Sequence, residues 1–215
     1  TRSLMAPIPA PTRLDVLAAA IPGARVVGDG SVSVTGVSGD SRAVRSGSIF
    51  CCVIGARVDG HKFAKDAVAR GAVALVVERQ LDLDVPQIVV VNSRVAMGTI
   101  AASVFDRPSD KMRVVGVTGT NGKTTTAHLT AEILRRQGWK TEVYGTLSGA
   151  RTTPEAPVLQ EQFAQSLANG CEAVVMEVSS HALALDRVVG TRFAVGVFTN
   201  LGRDHLDFHG TEEQY

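Results

Sequence analysis

Residues 114–138 read VVGVTGTNGKTTTAHLTAEILRRQG: an apolar run, a turn broken by Gly119 and Gly122, one lysine, a row of threonines and a stretch with helical spacing. The run from Val114 to Val117 has the β-branched content of a buried strand, and the stretch opening at Lys123 closes on Gly138, a helix stop signal. Between a strand and a helix, a glycine turn can aim several backbone N–H groups at one anion, and the helix N-terminus adds its partial positive charge. Lys123 then offers a mobile charge for outer phosphates, and Thr124 a hydroxyl for Mg²⁺. The usual G-x-x-x-x-G-K-[ST] spacing is not met, because the residue five before Gly122 is Val117; the glycine stands at 119 and gives the shorter G-T-N-G-K-T. An ordinary strand-to-helix turn would also tolerate these residues. The Gly-Lys-Thr core joined to a strand before and a helix after favours a nucleoside triphosphate site formed by Gly119, Thr120, Asn121, Gly122, Lys123, Thr124 and Thr125.

Outward from this turn, the chain alternates strand-like and helix-like segments. Arg113–Gly119, Lys140–Thr146, Glu172–Ser179 and Arg192–Asn200 read as strands, with helices at Lys123–Gly138 and Pro157–Gly170. Such alternation predicts an α/β domain with a parallel sheet and helices on both faces, whose ligands gather at the carboxyl ends of the strands. Upstream, Leu14–Ala20 reads as a short helix and Ser31–Ser38 as one half-buried strand. The segments SIFCCVIG, HKFAKDAVARGA and VALVVER then form a β-α-β unit, and DVPQIVVV with RVAMGTIAASVFDRPS adds a strand and a helix. The Pro, Ser and charges of RPSDKM read as a linker, which puts a boundary near Ser109 and gives two domains, residues 1–109 and 110–215.

Composition narrows the function. With 22 basic against 21 acidic residues, the net charge of +1 gives no electrostatic reason to expect nucleic acid or an anionic membrane as partner, so an anionic ligand needs a local site. No apolar run reaches the ~18 residues of a membrane span, and residues 1–23 lack the apolar core of a secretory signal. Cys51, Cys52 and Cys171 make no metal-ligand spacing and read as reduced thiols of a cytoplasmic protein. The final stretch LGRDHLDFHGTEEQY is dense in Asp, Glu and His and reads as a cut through a domain.

Two further strand ends bear on what the phosphate is for. Glu177 follows AVVM and is expected at the same sheet edge as the phosphate turn, where a carboxylate can hold Mg²⁺; alone, such a carboxylate is more often a solvated strand end. The strand FAVGVFTN leads into LGRDHLDFHG, which brings Asp204, His205 and Asp207 close together. Three polar edge loops suggest ATP-dependent chemistry. His61 and His128 read as structural, and Trp139 as packing.

VVGVTGTNGKTTT, TTPE, MEVSSHALALDRV and FTNLGRDHLDFHG, in that order, resemble the Mur ligase family, and within it the branch that adds the third residue of the peptidoglycan stem peptide; DSRAVRSGSIFCCVIGARVDGHKF is similar to that family's uridine-binding domain. The resemblance implies a small N-terminal α/β uridine-binding domain, a P-loop-type parallel-sheet ATPase domain of which only the first part is here, and a C-terminal amino-acid-binding domain beyond it. It implies a cytoplasmic, monomeric enzyme, inactive as this fragment alone, that uses ATP and Mg²⁺ to phosphorylate the D-glutamate γ-carboxylate of UDP-N-acetylmuramoyl-L-alanyl-D-glutamate. Attack by meso-diaminopimelate or L-lysine on the acyl phosphate follows. By motif position, Lys123, Glu177 and His205 are the catalytic candidates, with Thr124, Glu177 and His205 at metal. Gly39, Ser41, Ala56, Arg57 and Val58 match the uridine diphosphate stretch, and Thr152, Thr153, Ser179 and Arg187 the positions that hold the muramoyl peptide. Against the family pattern, residues 145–153 form a shorter loop, Arg151 stands where Asn is frequent, Leu185 replaces a polar residue and Gly202 stands where Ser is frequent. Two other readings stay open: a related ligase with another acceptor, and a nucleotide-binding module without turnover.

Overall fold

The computed structural model describes residues 9–56, 58–147 and 151–215. The chain divides into two compact units, Thr1–Arg107 and Pro108–Tyr215.

In the first unit, β1 (Thr12–Arg13), α1 (Leu14–Ala19), β2 (Arg25–Val27), β3 (Ser33–Val34), β4 (Gly36–Ser38), β5 (Ser48–Cys51), α2 (Ala64–Ala69), β6 (Ala74–Val77), β7 (Gln87–Val89) and α3 (Ser93–Val104) follow in order. A five-stranded sheet runs β2-β7-β6-β5-β4, with β4 to β7 parallel and β2 antiparallel at one edge. Side chains alternate across it: Ile49, Cys51, Val76 and Ile88 pack with Leu14, Leu17, Met97 and Ile100 on one face, and Phe50, Leu75 and Val77 with Ala64 and Ala67 on the other. Both faces are covered, which is why SIFCC and ALVV are almost unbroken apolar runs. The single strand expected over Ser31–Ser38 is two. β3 pairs antiparallel with β1, whereas β4 pairs parallel with β5. The break falls at Thr35, whose N–H donates to Gly47 O at 2.9 Å, so the pairing partner changes in mid-run.

The second unit holds α4 (Pro108–Lys111), β8 (Arg113–Thr118), α5 (Lys123–Arg136), β9 (Thr141–Tyr144), α6 (Ala156–Ala168), β10 (Ala173–Glu177), α7 (Ser180–Ala184), β11 (Val195–Phe198) and α8 (Leu206–His209). The expected linker is partly helical: α4 buries Pro108 and Ser109, and the Ser109 hydroxyl accepts the Arg192 N–H at 3.0 Å. The sheet runs β11-β8-β10-β9 and is parallel throughout. Val114, Val174 and Met176 meet Leu159 and Phe163 of α6 on one face, while Val115, Val117 and Val175 meet Ala127 and Ala131 of α5 on the other. Each fully buried Leu or Phe here contributes about 1.5–3 kcal/mol. Gly116 is required by packing, since a Cβ there would lie 2.7 Å from the Phe193 ring.

From β8 the chain crosses toward β9, and from β10 it returns past β8 to β11. The connections leaving these two adjacent strands therefore run in opposite directions, and a crevice opens at their carboxyl ends. The Gly119–Gly122 turn and Glu177 lie there because they end those two strands.

Candidate functional site

The phosphate-type turn leaves β8 at Gly119, with φ 131°, and enters α5 at Gly122, with φ 83°. Both are conformations that an L side chain adopts only under strain. Gly119 is also closely packed: a Cβ would fall 2.1 Å from Thr199 Oγ1. A Cβ on Gly122 would meet nothing within 4 Å, so this side of the turn is open. The Lys123 ammonium folds back over the turn, donating to Gly119 O at 2.7 Å and Thr120 O at 2.9 Å.

The turn is braced by the chain after β11. The Asn121 N–H donates to Asn200 Oδ1 and the Asn200 amide donates to Asn121 O, both at 3.1 Å, while Thr120 N–H reaches Asn200 O at 3.0 Å. Thr199 Oγ1 donates to Asn121 O at 2.7 Å, and Thr120 Oγ1 meets Tyr215 OH at 2.8 Å and accepts Gly202 N–H at 2.8 Å.

Facing the turn, Glu177 is 1% exposed, and both of its carboxylate oxygens are hydrogen-bonded. Its Oε2 accepts the Thr124 hydroxyl at 2.9 Å, and its Oε1 accepts Thr146 N–H at 3.0 Å. Gly145 makes room for it, because a Cβ there would stand 2.1 Å from Glu177 Oε1. The Thr146 and Thr152 hydroxyls lie 3.1 Å apart on the same side. These groups share a cleft of about 450 Å³, walled by Gly119–Thr125, by Thr146, Thr152, Glu177, Ser179 and Ser180, and by Asp204, His205 and Tyr215.

His205 begins α8 with φ 52°, a left-handed conformation that costs a non-glycine residue of order 1–3 kcal/mol and is an outlier associated with functional sites. Its N–H donates to Asp204 Oδ1 at 2.8 Å, and its ring stands edge-on to His181 at 4.7 Å. His209 completes the group, with Nε2 at 3.0 Å from Ser180 Oγ. Burial, reinforced by any positive charge on His205 and His209, lowers the His181 pKa. Asp207 lies in the first turn of α8 and is exposed.

The structure thus brings Gly119 to Thr125, Thr152, Glu177, Ser179 and His205 to one cleft. Thr153 and Arg187 do not line it. Thr153 is 1% exposed, and Arg187 donates through Nη1 to Thr153 O at 3.2 Å and pairs through Nε with Glu155 Oε1 at 2.9 Å. Gly39, Ser41, Ala56 and Val58 belong to the first unit, following the carboxyl ends of the adjacent parallel strands β4 and β5; Arg57 lies outside the described residues, as does part of the 145–153 loop. Asp40 caps the short turn Ser41–Ala43, and its carboxyl is held below the ordinary range mainly by Arg42. His61 is buried among the first unit's own groups, with Nδ1 2.6 Å from Asp59 Oδ1 and Nε2 accepting Glu78 N–H at 3.0 Å. Cys51, Cys52 and Cys171 are free and buried, and burial pushes the Cys52 thiol up to about 12 and Cys171 to about 11. Thr146, Ser180, Thr199, Asn200 and Tyr215 were not foreseen. All except Tyr215 follow the carboxyl ends of β9, β10 or β11, a topological signal that would have found them.

Two family models match in succession: "Mur ligase family, catalytic domain" over residues 33–117 and "Mur ligase middle domain" over residues 117–215. The chain belongs to the Mur ligase family. It is 47% identical over 212 residues to the UDP-N-acetylmuramoyl-L-alanyl-D-glutamate–2,6-diaminopimelate ligase of Geobacillus kaustophilus, covering 94% of this chain and 43% of that protein. It is 46% identical over 191 residues to the Bacillus cereus protein of the same name, covering 85% and 39%. Among solved structures, a ligase of that name superposes with a TM-score of 0.79 at 30% identity, covering 96% of this chain and 43% of the other. MurF of Thermotoga maritima, solved in complex with ADP, gives a TM-score of 0.60 at 28% identity, covering 83% and 40%. This Mur ligase chain spans about 43% of the length of the first two curated relatives it matches. Among its described residues no helix is long and apolar enough to cross a membrane.

Proposed function

We propose that the chain supplies the uridine-binding and ATP-binding parts of an amide ligase that joins meso-diaminopimelate, or L-lysine, to the γ-carboxylate of UDP-N-acetylmuramoyl-L-alanyl-D-glutamate, in peptidoglycan synthesis. The observation that carries this reading is the bond between Thr124, in the first turn after the glycine-lysine turn, and the buried carboxylate of Glu177. It joins a phosphate-type cradle to an acidic group in the same cleft, in a chain 47% identical to a ligase so named.

The residues fit the cosubstrate and the metal. The turn presents open backbone at Gly122 beside a lysine ammonium, as a triphosphate requires, and Thr124 with Glu177 offers the hard oxygen donors that suit Mg²⁺. Thr124, Glu177 and His205 are the residues assigned to metal, which when bound neutralises charge developing on the transferred phosphoryl group. Lys123 holds the outer phosphates, and the Asn121–Asn200 clasp keeps the turn in shape for them. A carboxylate is a poor electrophile. Phosphoryl transfer to it gives a mixed anhydride with a good leaving group, and an amine held beside it needs only orientation to react. Ser179, Thr152 and Arg187 are assigned to the muramoyl peptide, and Gly39, Ser41 and residues 56–58 to the uridine diphosphate. The proposed division is residues 1–109 for the uridine substrate and 110–215 for ATP, with the amino-acid-binding domain following, in a monomeric cytoplasmic enzyme.

The test is turnover by the full-length protein. Phosphate release from ATP is expected to require both UDP-N-acetylmuramoyl-L-alanyl-D-glutamate and the diamino acid, with the amide product seen by mass. Release independent of the muramoyl dipeptide, or none with it, would reject the reading in favour of another acceptor or of a binding module.

A further inference from the structure

We propose that the Thr153 hydroxyl is a positioning group that ends the β10 ladder, rather than one that touches substrate. Strand β9 pairs with β10 from Thr141↔Ala173 to Tyr144↔Met176 and goes no further. On its other side β10 stays paired with β8, through Glu177↔Val117 and the bond from Val178 N–H to Val117 O at 2.8 Å. One side of the ladder therefore outlasts the other. In a parallel strand residues 177 and 179 present their backbone groups to the side opposite residue 178, here the side β9 has left. The Thr153 hydroxyl occupies that place: Oγ1 donates to Glu177 O at 3.0 Å and accepts Ser179 N–H at 3.1 Å. One hydroxyl thus makes the donor and acceptor contacts that the next β9 residue would have made opposite Val178.

Two candidate site residues, Glu177 and Ser179, depend on this hydroxyl, and a third, Arg187, on the main-chain carbonyl of the same residue. The Glu177 carboxylate projects from the backbone whose carbonyl Thr153 fixes. Ser179, whose N–H Thr153 accepts, caps α7 through its own hydroxyl to Ala182 N–H at 3.2 Å. Thr153 O accepts Arg187 Nη1 at 3.2 Å, orienting that guanidinium together with Glu155. At 1% exposure, with its only O–H donor spent on Glu177 O, the Thr153 side chain has no proton to offer a ligand.

The inference rests on the ligase reading above, and the experiment separates the two. In the full-length enzyme, wild-type turnover reports on that reading; the ratio of Thr153→Val to Thr153→Ser reports on Thr153. Valine keeps the shape and removes both bonds, whereas serine keeps the hydroxyl. Expected is a fall in kcat of about 10–10²-fold for Thr153→Val, the scale of a small misplacement of reacting groups. KM for the muramoyl dipeptide and for ATP should stay within about threefold, and Thr153→Ser should return kcat to within about threefold of wild type. Should valine fail to fold, Thr153→Ser against Thr153→Ala isolates the same hydroxyl. A raised KM for the muramoyl dipeptide with kcat kept would make Thr153 a substrate contact and overturn the proposal. So would unchanged kinetics in Thr153→Val, or the loss of folded protein in the valine and alanine variants alike.

Discussion

At the scale of single residues, Lys123 and Gly145 act on the same cleft in opposite ways, one by charge and the other by the absence of a side chain. The Lys123 ammonium is held on the turn by Gly119 O and Thr120 O, so removing it leaves the backbone path intact. Lys123→Ala is expected to lower kcat of the full-length enzyme by about 10²–10³-fold, the usual cost of losing one preorganised charge or donor, with the melting temperature little changed. A near-normal rate would show that this turn is not where ATP reacts. Gly145→Ala works through space: its Cβ would stand 2.1 Å from Glu177 Oε1, against a carboxylate that is buried and bound to Thr124 and Thr146. Glu177 must swing away or β9 must shift. The expected cost is about 1–3 kcal/mol in stability and about 10²-fold in turnover, read by urea denaturation and by steady-state rates on the same preparation. Wild-type values in both would mean that the Glu177 position is not fixed by this contact.

At the scale of elements, the packing of α7 against α8 carries a pH dependence. His181 meets His205, Phe208 and His209 at ring distances of 4.7, 4.1 and 5.6 Å. Burial first, then His205 and His209, lower its pKa from 6.5, with Arg187 adding to them and Asp207 opposing. A histidine with a depressed folded pKa favours the folded chain above its unfolded pKa and loses that contribution as pH falls through the folded value. The urea midpoint is therefore expected to drop between pH 7.5 and pH 5.5, and His181→Asn to flatten that slope; an equal slope in both would place the titration elsewhere. This cluster also marks what the sequence could tell. Strands β5, β6, β8 and β10 were legible because both of their faces are covered, leaving apolar runs such as Val114–Val117 and Ala173–Met176, whereas the short antiparallel edge strand β2 was not. The strand-turn-helix unit around Lys123 was legible because two glycines, a lysine and a threonine stand between a strand and a helix. The split of Ser31–Ser38 was not, because strand exchange at Thr35 depends on Gly47, far along the chain. Nor was the Asn200 clasp on Asn121, since the two residues meet only through the placement of β11 beside β8. Short elements such as α7 and α8 have too few residues for any period to register.

At the scale of the whole molecule, the ligand assignments fall on separate compact units, so the two binding functions should be separable by mutation. Ser41 follows the carboxyl end of β4, in a turn capped by Asp40, whereas the Gly119–Thr125 turn belongs to the other unit. Each unit has its own sheet and its own buried clusters, and a small polar change at Ser41 disturbs neither. Ser41→Ala should therefore weaken a uridine diphosphate ligand by the value of one hydrogen bond, about 0.5–1.5 kcal/mol, or roughly two- to tenfold in Kd. Titration calorimetry on the full-length enzyme, with UDP and with a non-hydrolysable ATP analogue in separate runs, reads both affinities. The ATP analogue should bind the variant within about twofold of wild type, because no group of its cradle has changed. Lys123→Ala supplies the reciprocal arm, weakening the ATP analogue and sparing UDP. Equal losses for both ligands in either variant would mean that one site serves both, and unchanged UDP binding in Ser41→Ala would remove Ser41 from the uridine site while leaving the ATP assignment standing.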